Sequence, residues 1–254
     1  ADWSVFGQYA GGFRAPNANQ VNGYFENAAE AVVIVPNPDL KPEKSRSVEL
    51  GVRGRLSTLN IDAAVFSSRF DNLIVENTFI SGLGTAASPK RFQTTNTDKA
   101  RIHGFELKGY QHWGMTGGGK LGTPFTLGWA KGKNSLTGAP LNSIEPTKLT
   151  VGLDYQTTQW TWQLMARHHA AKHADDIDSP SLLKAPKVQA PVAASTTFDL
   201  SAQWRFRKDA RLNVGIANLT NRKYWLWSDV RGLDTASTVA DWLAGVLNLI
   251  FIAR

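Results

Sequence analysis

Hydrophobic and polar residues alternate strictly along residues 197–207. Phe198, Leu200, Ala202, Trp204 and Phe206 fall on one face, and every residue between them is polar or charged. A period of two is the pattern of a β-strand with one apolar and one polar face. A second alternating run, at 211–217, begins after only Lys208, Asp209 and Ala210. The two runs therefore predict a tight β-hairpin.

The same alternation recurs upstream. Paired runs lie at 148–155 and 159–167, and at 47–56 and 59–65. Weaker strand-like patterns lie near 1–12, 99–113, 121–132 and 244–254. The chain is therefore predicted to be all-β, with about ten strands.

The predicted connections alternate in length. Short turns fall near 57–58, 114–120, 156–158 and 208–210. Long loops fall near 13–43, 72–98, 133–143, 173–194 and 220–243, and they hold most of the proline. Short turns at one end and long loops at the other are typical of antiparallel transmembrane β-barrels, in which the long loops face outward.

The chemistry of the two faces also favours a membrane barrel in contact with outer-membrane lipid. The polar face is rich in Asp, Arg, Gln and Lys, as expected for a wet lumen, and aromatic residues lie near strand ends, as in interfacial girdles. The girdle candidates are Trp3, Tyr9, Trp113, Trp129, Tyr155, Trp160 and Phe206. A soluble β-sandwich that binds carbohydrate on aromatic faces is the alternative, because sandwich strands alternate too.

Composition narrows the remaining classes. The chain has no cysteine, which excludes disulfides and thiolate metal sites. It has no run of 18 consecutive apolar residues, so no membrane helix is predicted. The net charge of +7 would permit nucleic acid as a partner, but the basic residues are scattered, so no nucleic-acid binding is expected. No Ser/His/Asp set or carboxylate pair argues for an enzyme, and Gly117–Lys120 lacks the spacing of a phosphate loop.

Several motifs resemble one known family. They are Gly-Phe-Arg-Ala-Pro at 12–16, Asn-Pro-Asp-Leu-Lys-Pro-Glu-Lys-Ser at 37–45, Ile-His-Gly-Phe-Glu-Leu at 102–107, Pro-Leu-Asn-Ser-Ile-Glu-Pro at 140–146 and Asn-Leu-Thr-Asn-Arg-Lys-Tyr-Trp at 218–225. Together they resemble the C-terminal barrel half of TonB-dependent outer-membrane receptors. The first two and the loop at 140–146 are similar to the haem and haemoglobin receptor branch, although the first two also occur in siderophore receptors.

The resemblance implies a barrel of about 22 strands closed by a plug domain. Residues 1–254 would then be the C-terminal part of the barrel domain in the bacterial outer membrane, without the plug. The missing N-terminal part would contact the inner-membrane TonB complex. The expected ligand is haem, alone or taken from a haemoprotein, and a ferric siderophore is the alternative. Haem would be cargo, and no cofactor is expected to be needed for folding.

The resemblance also implies ligand-binding residues. These are Phe13, Arg14, Ala15 and Pro16 in the first box, and Asn37, Pro38, Asp39 and Leu40 in the second. Arg14 would pair with a haem propionate or, equally, anchor the loop to a lumen carboxylate. Asn37 and Asp39 are also ordinary turn residues.

The sequence departs from the haem branch at the expected iron ligand. That branch places a histidine between the two boxes, and none lies between Pro16 and Asn37, so Tyr24 is the candidate ligand as a phenolate. His168 and His173, near Asp175, Asp176 and Asp178, are a second candidate metal site, although a polar loop explains them as well. The end of the chain, at 249–254, also lacks the terminal aromatic residue of the family.

Overall fold

The computed structural model describes residues 2–178, 191–231 and 248–253. Ten long strands form one continuous antiparallel sheet, and two short strands, β2 (Phe25–Asn27) and β3 (Val32–Val35), lie beside it. The long strands are β1 (Asp2–Arg14), β4 (Glu43–Arg55), β5 (Leu59–Ser81), β6 (Lys90–Thr116), β7 (Gly119–Asn134), β8 (Lys148–Gln156), β9 (Trp160–His169), β10 (Ser195–Trp204), β11 (Leu212–Ala217) and β12 (Asn248–Ala253).

Each long strand pairs with the next long strand along the chain, from β1 to β12. The expected all-β fold and the count of about ten strands are confirmed. The described strands lie in a single sheet rather than two packed sheets, so the β-sandwich alternative is wrong. Within the described residues the sheet is not closed, because β1 and β12 do not pair. An open sheet is what a part of a larger barrel wall requires.

Register separates the sheet into two faces. Leu50 lies opposite Val65, and Val65 opposite Phe105, so these apolar side chains share one face. This apolar face is exposed: Leu50 and Val65 each have 56% of their surface accessible. A continuous wall of exposed apolar side chains is suited to contact with lipid rather than water.

The opposite, polar face carries paired charges. Arg53 Nε lies 2.7 Å from Asp62 Oδ2, and Lys108 Nζ lies 3.7 Å from the same oxygen. A second pair joins Arg167 to Asp199 across β9 and β10. This face has the character of a hydrated lumen.

The predicted loop at 72–98 is wrong in its extent. β5 continues to Ser81 and β6 begins at Lys90, so only residues 82–89 connect them. Register shifts interrupt the pairing between Val75 and Thr78 and again between Phe79 and Ser81. Because each bulge changes which residues share a face, the alternation that marks a strand is broken there.

Smaller elements lie at the end with long connections. Between β1 and β4, the helix α1 (Ala18–Asn22) precedes β2 and β3. A 3-10 turn (Ala174–Asp176) follows β9, and α2 (Trp227–Val230) follows β11. In the part of the chain described, no helix has the length and hydropathy to cross a membrane.

Candidate functional site

The loop that joins β1 to β4, residues 15–42, carries the end of the first box and the whole of the second, and is called the two-box loop. An ion pair closes its base: Arg14 Nη2 donates to Glu43 Oε2 at 2.9 Å. The same oxygen accepts from the backbone N–H of Ile74 at 3.2 Å. Glu43 is only 9% exposed. Arg14 thus anchors the loop to a lumen-side carboxylate, which is the structural alternative raised for it.

A short helix begins the two-box loop. The Asn17 side chain accepts from the Gln20 N–H, and the Gln20 side chain accepts from the Asn17 N–H, which forms a capping box. Gln20 is buried, and its amide donates to Glu76 Oε1 on β5 at 2.8 Å. This contact fixes the helix against the long β5–β6 hairpin.

The second box is held by β6. Asn37 Nδ2 donates to the Thr94 carbonyl at 2.8 Å, and Asn37 Oδ1 accepts from the Asp39 N–H at 3.1 Å. Leu40 is 9% exposed, whereas solvent reaches more of Pro38 and Asp39. The turn chemistry expected of this box is present. Asn37 and Leu40 shape the loop, and Pro38 and Asp39 are its accessible members.

The loop then spans the hairpin. β3 pairs in parallel with β6, with Val32 opposite Lys90 and Val35 opposite Gln93. Gln93 donates to the Pro36 carbonyl at 2.7 Å, and Asn96 exchanges hydrogen bonds with the backbone of Lys41. The two-box loop is therefore a folded layer on the hairpin rather than a free segment of chain.

Tyr24 borders a cavity of about 370 Å³ between the loop and the hairpin. Its walls are Asn17, Asn19, Gln20, Gly23, Tyr24, Phe25, Ile34, Glu76, Asn77 and Thr94. Tyr24 is 62% exposed and Phe25 is 54% exposed. Two accessible rings beside a polar-walled cavity offer a surface for a flat aromatic ligand.

The Tyr24 hydroxyl donates to Glu26 Oε2 at 2.7 Å. This hydrogen bond, with the negative charge of Glu26, raises the pKa of Tyr24 above its ordinary value. A phenolate that ligates iron would first have to lose this partner. In the arrangement seen, Tyr24 is a neutral hydrogen-bond donor.

The remaining residues of the first box do not lie on the same side of the sheet as Arg14 or continue its strand. Phe13 lies on the same face as Tyr9 and Val5, the apolar face, and is 78% exposed. Ala15 and Pro16 follow β1 at the start of the loop. Phe13 therefore points away from Arg14, and the box does not form one binding surface.

The two histidines do not converge. His168 pairs in register with Leu149 and Thr196, which places it on the apolar face, and it hydrogen-bonds Thr196 Oγ1 at 2.9 Å. His173 lies beyond the strand, before the 3-10 turn. Among the side chains that the structure describes, no group of three His, Asp or Glu is arranged to hold a metal ion.

Sequence reasoning missed Phe25, Glu76 and Thr94 as walls of the cavity. Glu76 and Thr94 lie in the segment that was expected to be a loop without regular structure. Phe25 is next to Tyr24, and this adjacent pair of aromatic residues was the only signal for it.

A second cluster joins three other loops. The Asn142 carbonyl accepts from Trp227 Nε1 at 2.7 Å, and the Asn142 side chain exchanges two hydrogen bonds with the backbone of Asp178. Trp227 is 1% exposed and packs with Ile177, Val192 and Val230. The motif at 140–146 is therefore a hub that connects the outer loops.

The fold, the lipid-compatible face and the loop layer at one end define the chain as part of the wall of an outer-membrane β-barrel. It belongs to the TonB dependent receptor-like, beta-barrel family, whose sequence pattern matches residues 1–219. The family expectation is confirmed, and with it the bacterial outer membrane as the location.

Sequence relatives include proteins that bind haemoglobin. The chain is 28% identical over 239 residues to hemoglobin and hemoglobin-haptoglobin-binding protein A of Haemophilus influenzae, covering 89% of this chain and 22% of that protein. It is 27% identical over 259 residues to hemoglobin-haptoglobin utilization protein B of Neisseria meningitidis, covering 92% and 32%. Transferrin-binding protein A of Neisseria meningitidis is 27% identical over 242 residues, covering 87% and 26%.

The chain thus spans between 22% and 32% of the length of these relatives.

Solved structures agree on the fold. The copper transporter OprC superposes with a TM-score of 0.72 at 20% identity, covering 98% of this chain and 36% of OprC. The ferric enterobactin receptor of Pseudomonas aeruginosa gives a TM-score of 0.71 at 20% identity, covering 99% and 37%.

Proposed function

We propose that the protein carrying this chain is a receptor for TonB-dependent uptake of haem, which it obtains from a haemoprotein. The observation that carries the proposal is the likeness to haemoglobin-binding proteins, which extends over 89% and 92% of the chain in two relatives. In that protein, residues 1–254 would form the C-terminal part of the barrel. Energy from the inner-membrane TonB complex would enter through a part outside this chain.

The two-box loop supports the proposal. It presents Tyr24 and Phe25 beside the cavity of about 370 Å³, and both rings are more than half exposed. Haem is a flat apolar ring with carboxylate edges, so aromatic stacking is a suitable contact. In this proposal the accessible members of the two boxes complete the contact surface, and the members that are buried or bonded to neighbouring strands hold the loop in shape. The accessible members are Ala15, Pro16, Pro38 and Asp39, the shaping members are Arg14, Asn37 and Leu40, and Phe13 faces away from the ligand.

A haem titration of the whole purified protein tests the ligand. Addition of haem should shift the Soret band with saturable binding, and Tyr24→Ala with Phe25→Ala should weaken binding by on the order of tenfold. Leu83→Ala with Leu136→Ala is the matched control, because it removes two exposed apolar side chains from other outer connections. Absence of a Soret shift in wild type would overturn haem as the ligand. Undiminished binding by the aromatic double variant would overturn the placement of haem at this cavity.

A ferric siderophore is the second candidate. The observation in its favour is that no histidine lies between Pro16 and Asn37. Quenching of tryptophan fluorescence by ferric siderophores, measured on the same sample, separates the two. Saturable quenching without a Soret response would favour the siderophore. A receptor-deficient strain that expresses the whole protein is then grown with haemoglobin or with the ferric siderophore as its only iron source. The source that supports growth shows which ligand is transported.

A further inference from the structure

A row of basic side chains crosses four neighbouring strands on the apolar face. Arg46 on β4 lies opposite Arg69 on β5, Arg69 opposite Arg101 on β6, and Arg101 opposite Lys133 on β7. Lys131 lies two residues inward from Lys133 along β7, on the same face. These five residues are called the basic band, and all of them are exposed.

The basic band is not neutralised within the described chain. Among the carboxylates whose side chains the structure describes, none lies within ion-pair distance of any of these five side chains. Asp71 is one row further out, between Lys44 and Lys99. On the polar face, by contrast, Arg53 and Lys108 share a carboxylate. Like charges directly opposite in a sheet are destabilising. A bound external anion would therefore reduce the repulsion between the side chains of the basic band.

The band lies just beyond the aromatic positions of the lipid-facing wall. Phe105 and Trp129 stack with ring centroids 5.8 Å apart on β6 and β7. Lys131 is two residues, and Lys133 four residues, further along β7 toward the long loops. At about 3.3 Å per residue, that is about 7 and 13 Å along the strand. Aromatic residues mark the membrane–water interface, so the band lies at the depth of the outer-leaflet headgroups.

A groove lies along the band. A cavity of about 590 Å³ is lined by Arg46, Arg69 and Arg101. Tyr9 and Val48 form its apolar floor toward the membrane, and Asp71 and Lys99 lie together at its outer end. Cations above an apolar floor match a lipid with a phosphate-bearing head. A soluble acidic protein would have no use for the apolar floor.

We propose that the basic band is a binding site for a phosphorylated lipid of the outer leaflet. The guanidinium and ammonium groups would hold the phosphates, and the acyl chains would lie against the apolar wall below Tyr9 and Val48. Arginine suits this role because its planar group donates two parallel hydrogen bonds to a phosphate. The site is on the outside of the barrel, so it does not depend on which ligand the receptor carries.

Binding of lipid A to the whole protein tests the proposal. The protein is stripped of lipid in detergent, and lipid A in mixed micelles is titrated against it. Arg46→Gln/Arg69→Gln/Arg101→Gln should lose affinity by about fivefold for each charge, or on the order of 100-fold in total. The matched control, Arg205→Gln/Lys208→Gln/Arg211→Gln, removes the same charge at the short-turn end and should bind as wild type.

Two further arms identify the chemistry. Lipid A without its phosphates should bind at least about tenfold more weakly, and added salt should weaken the phosphorylated form. Inorganic phosphate at the lipid concentration should not displace lipid A, because it lacks the acyl chains. Lys131→Gln/Lys133→Gln is a second variant that keeps the test open if the triple variant does not fold. We expect it to lose affinity for lipid A as well. Equal loss in the control, or unchanged binding in both band variants, would overturn the proposal.

Discussion

Trp227 donates its indole N–H to the carbonyl oxygen of Asn142 at 2.7 Å, across 85 positions of sequence. Trp227 is almost fully enclosed, and Lys172 lies over its ring with Nζ 5.2 Å from the ring centroid. The loop after β7, the loop after β9 and the segment after β11 therefore meet at one point. Loops joined in this way open together rather than one by one.

Disruption of this junction should expose the segment around α2. Trp227→Phe removes the hydrogen bond and keeps most of the packing, at a cost of about 1 kcal/mol. Asn142→Ala keeps the carbonyl that accepts from Trp227 but removes both side-chain bonds to Asp178, at a cost of about 2 kcal/mol.

Tryptic cleavage after Lys223 and Arg231 measures this opening. Cleavage should accelerate about fivefold in Trp227→Phe and more in Asn142→Ala. Trp160→Phe, at the opposite end of the sheet, is the control and should leave the cleavage rate unchanged. Wild-type rates in both junction variants would show that the loops are held together by other contacts.

The ion pair at the base of the two-box loop should be asymmetric. Glu43→Ala leaves the Ile74 N–H without its acceptor in a buried place and should cost about 2–3 kcal/mol. Arg14→Ala removes a half-exposed partner and should cost about 1 kcal/mol. Urea unfolding of the two single variants and the double variant measures the coupling. Lys44→Ala, the neighbour on the other face, should stay within about 0.5 kcal/mol of wild type. Equal losses for Arg14→Ala and Glu43→Ala would contradict the assigned roles.

Glu26 should control the ionisation of Tyr24. The Glu26 carboxylate accepts from the neutral phenol and repels the phenolate, so it raises the pKa of Tyr24. Glu26→Gln should therefore move the titration of Tyr24 to lower pH. The titration is followed by the absorbance of the phenolate. The signal of Tyr24 is obtained by subtracting the absorbance of a Tyr24→Phe variant, made both in the wild-type protein and in Glu26→Gln. If Tyr24 ligates ferric iron, binding in Glu26→Gln should extend to lower pH as well. An unchanged titration would show that Glu26 does not govern Tyr24.

Lys172 should make the docking of the outer loops depend on pH. Burial lowers the pKa of Lys172 below its ordinary 10.5, and its Nζ donates to the Ile144 carbonyl at 2.9 Å. The folded loops thus favour the uncharged amine more than the open loops do. Docking should strengthen as pH rises from the lowered pKa toward 10.5.

Protection of the Lys223 and Arg231 cleavage sites, assayed across this pH range, tests the dependence. Each rate is divided by the rate for a short peptide substrate, which removes the pH dependence of trypsin itself. Protection should increase with pH in wild type, and Lys172→Met should lose the trend. A trend of the same size in Lys172→Met would assign it to another group.

The strands were readable from sequence wherever a strand keeps one face toward lipid and one toward water. The runs at 148–155 and 159–167 correspond closely to β8 and β9, because alternation is a local property of each strand. The run at 197–207 ends earlier than predicted, at Trp204, since the turn to β11 takes up residues 205–211. The outer part of the β5–β6 hairpin was missed because its bulges shift the face within the strand.

The candidate site was less readable. The sequence marked the two boxes and Tyr24, and whether these bind a ligand stays a prediction. It allowed a carboxylate partner for Arg14 but did not identify Glu43 as that partner, and it did not indicate that Thr94 would hold Asn37. The first contact depends on the register between β1 and β4, which places Arg14 opposite Glu43. The second depends on how the two-box loop lies over the β5–β6 hairpin, and the residues of the loop do not encode the position of that hairpin.

By itself the sequence determined the all-β class, the two faces of the wall, the ends with short and long connections, and the family. Each of these follows from local alternation or from short motifs. Only the tertiary structure decided the junction of Trp227 with Asn142, the cavity beside Tyr24 and the basic band. Arg46, Arg69 and Arg101 are ordinary exposed residues in their own strands. Strand register, which pairing between distant segments sets, brings them into one row.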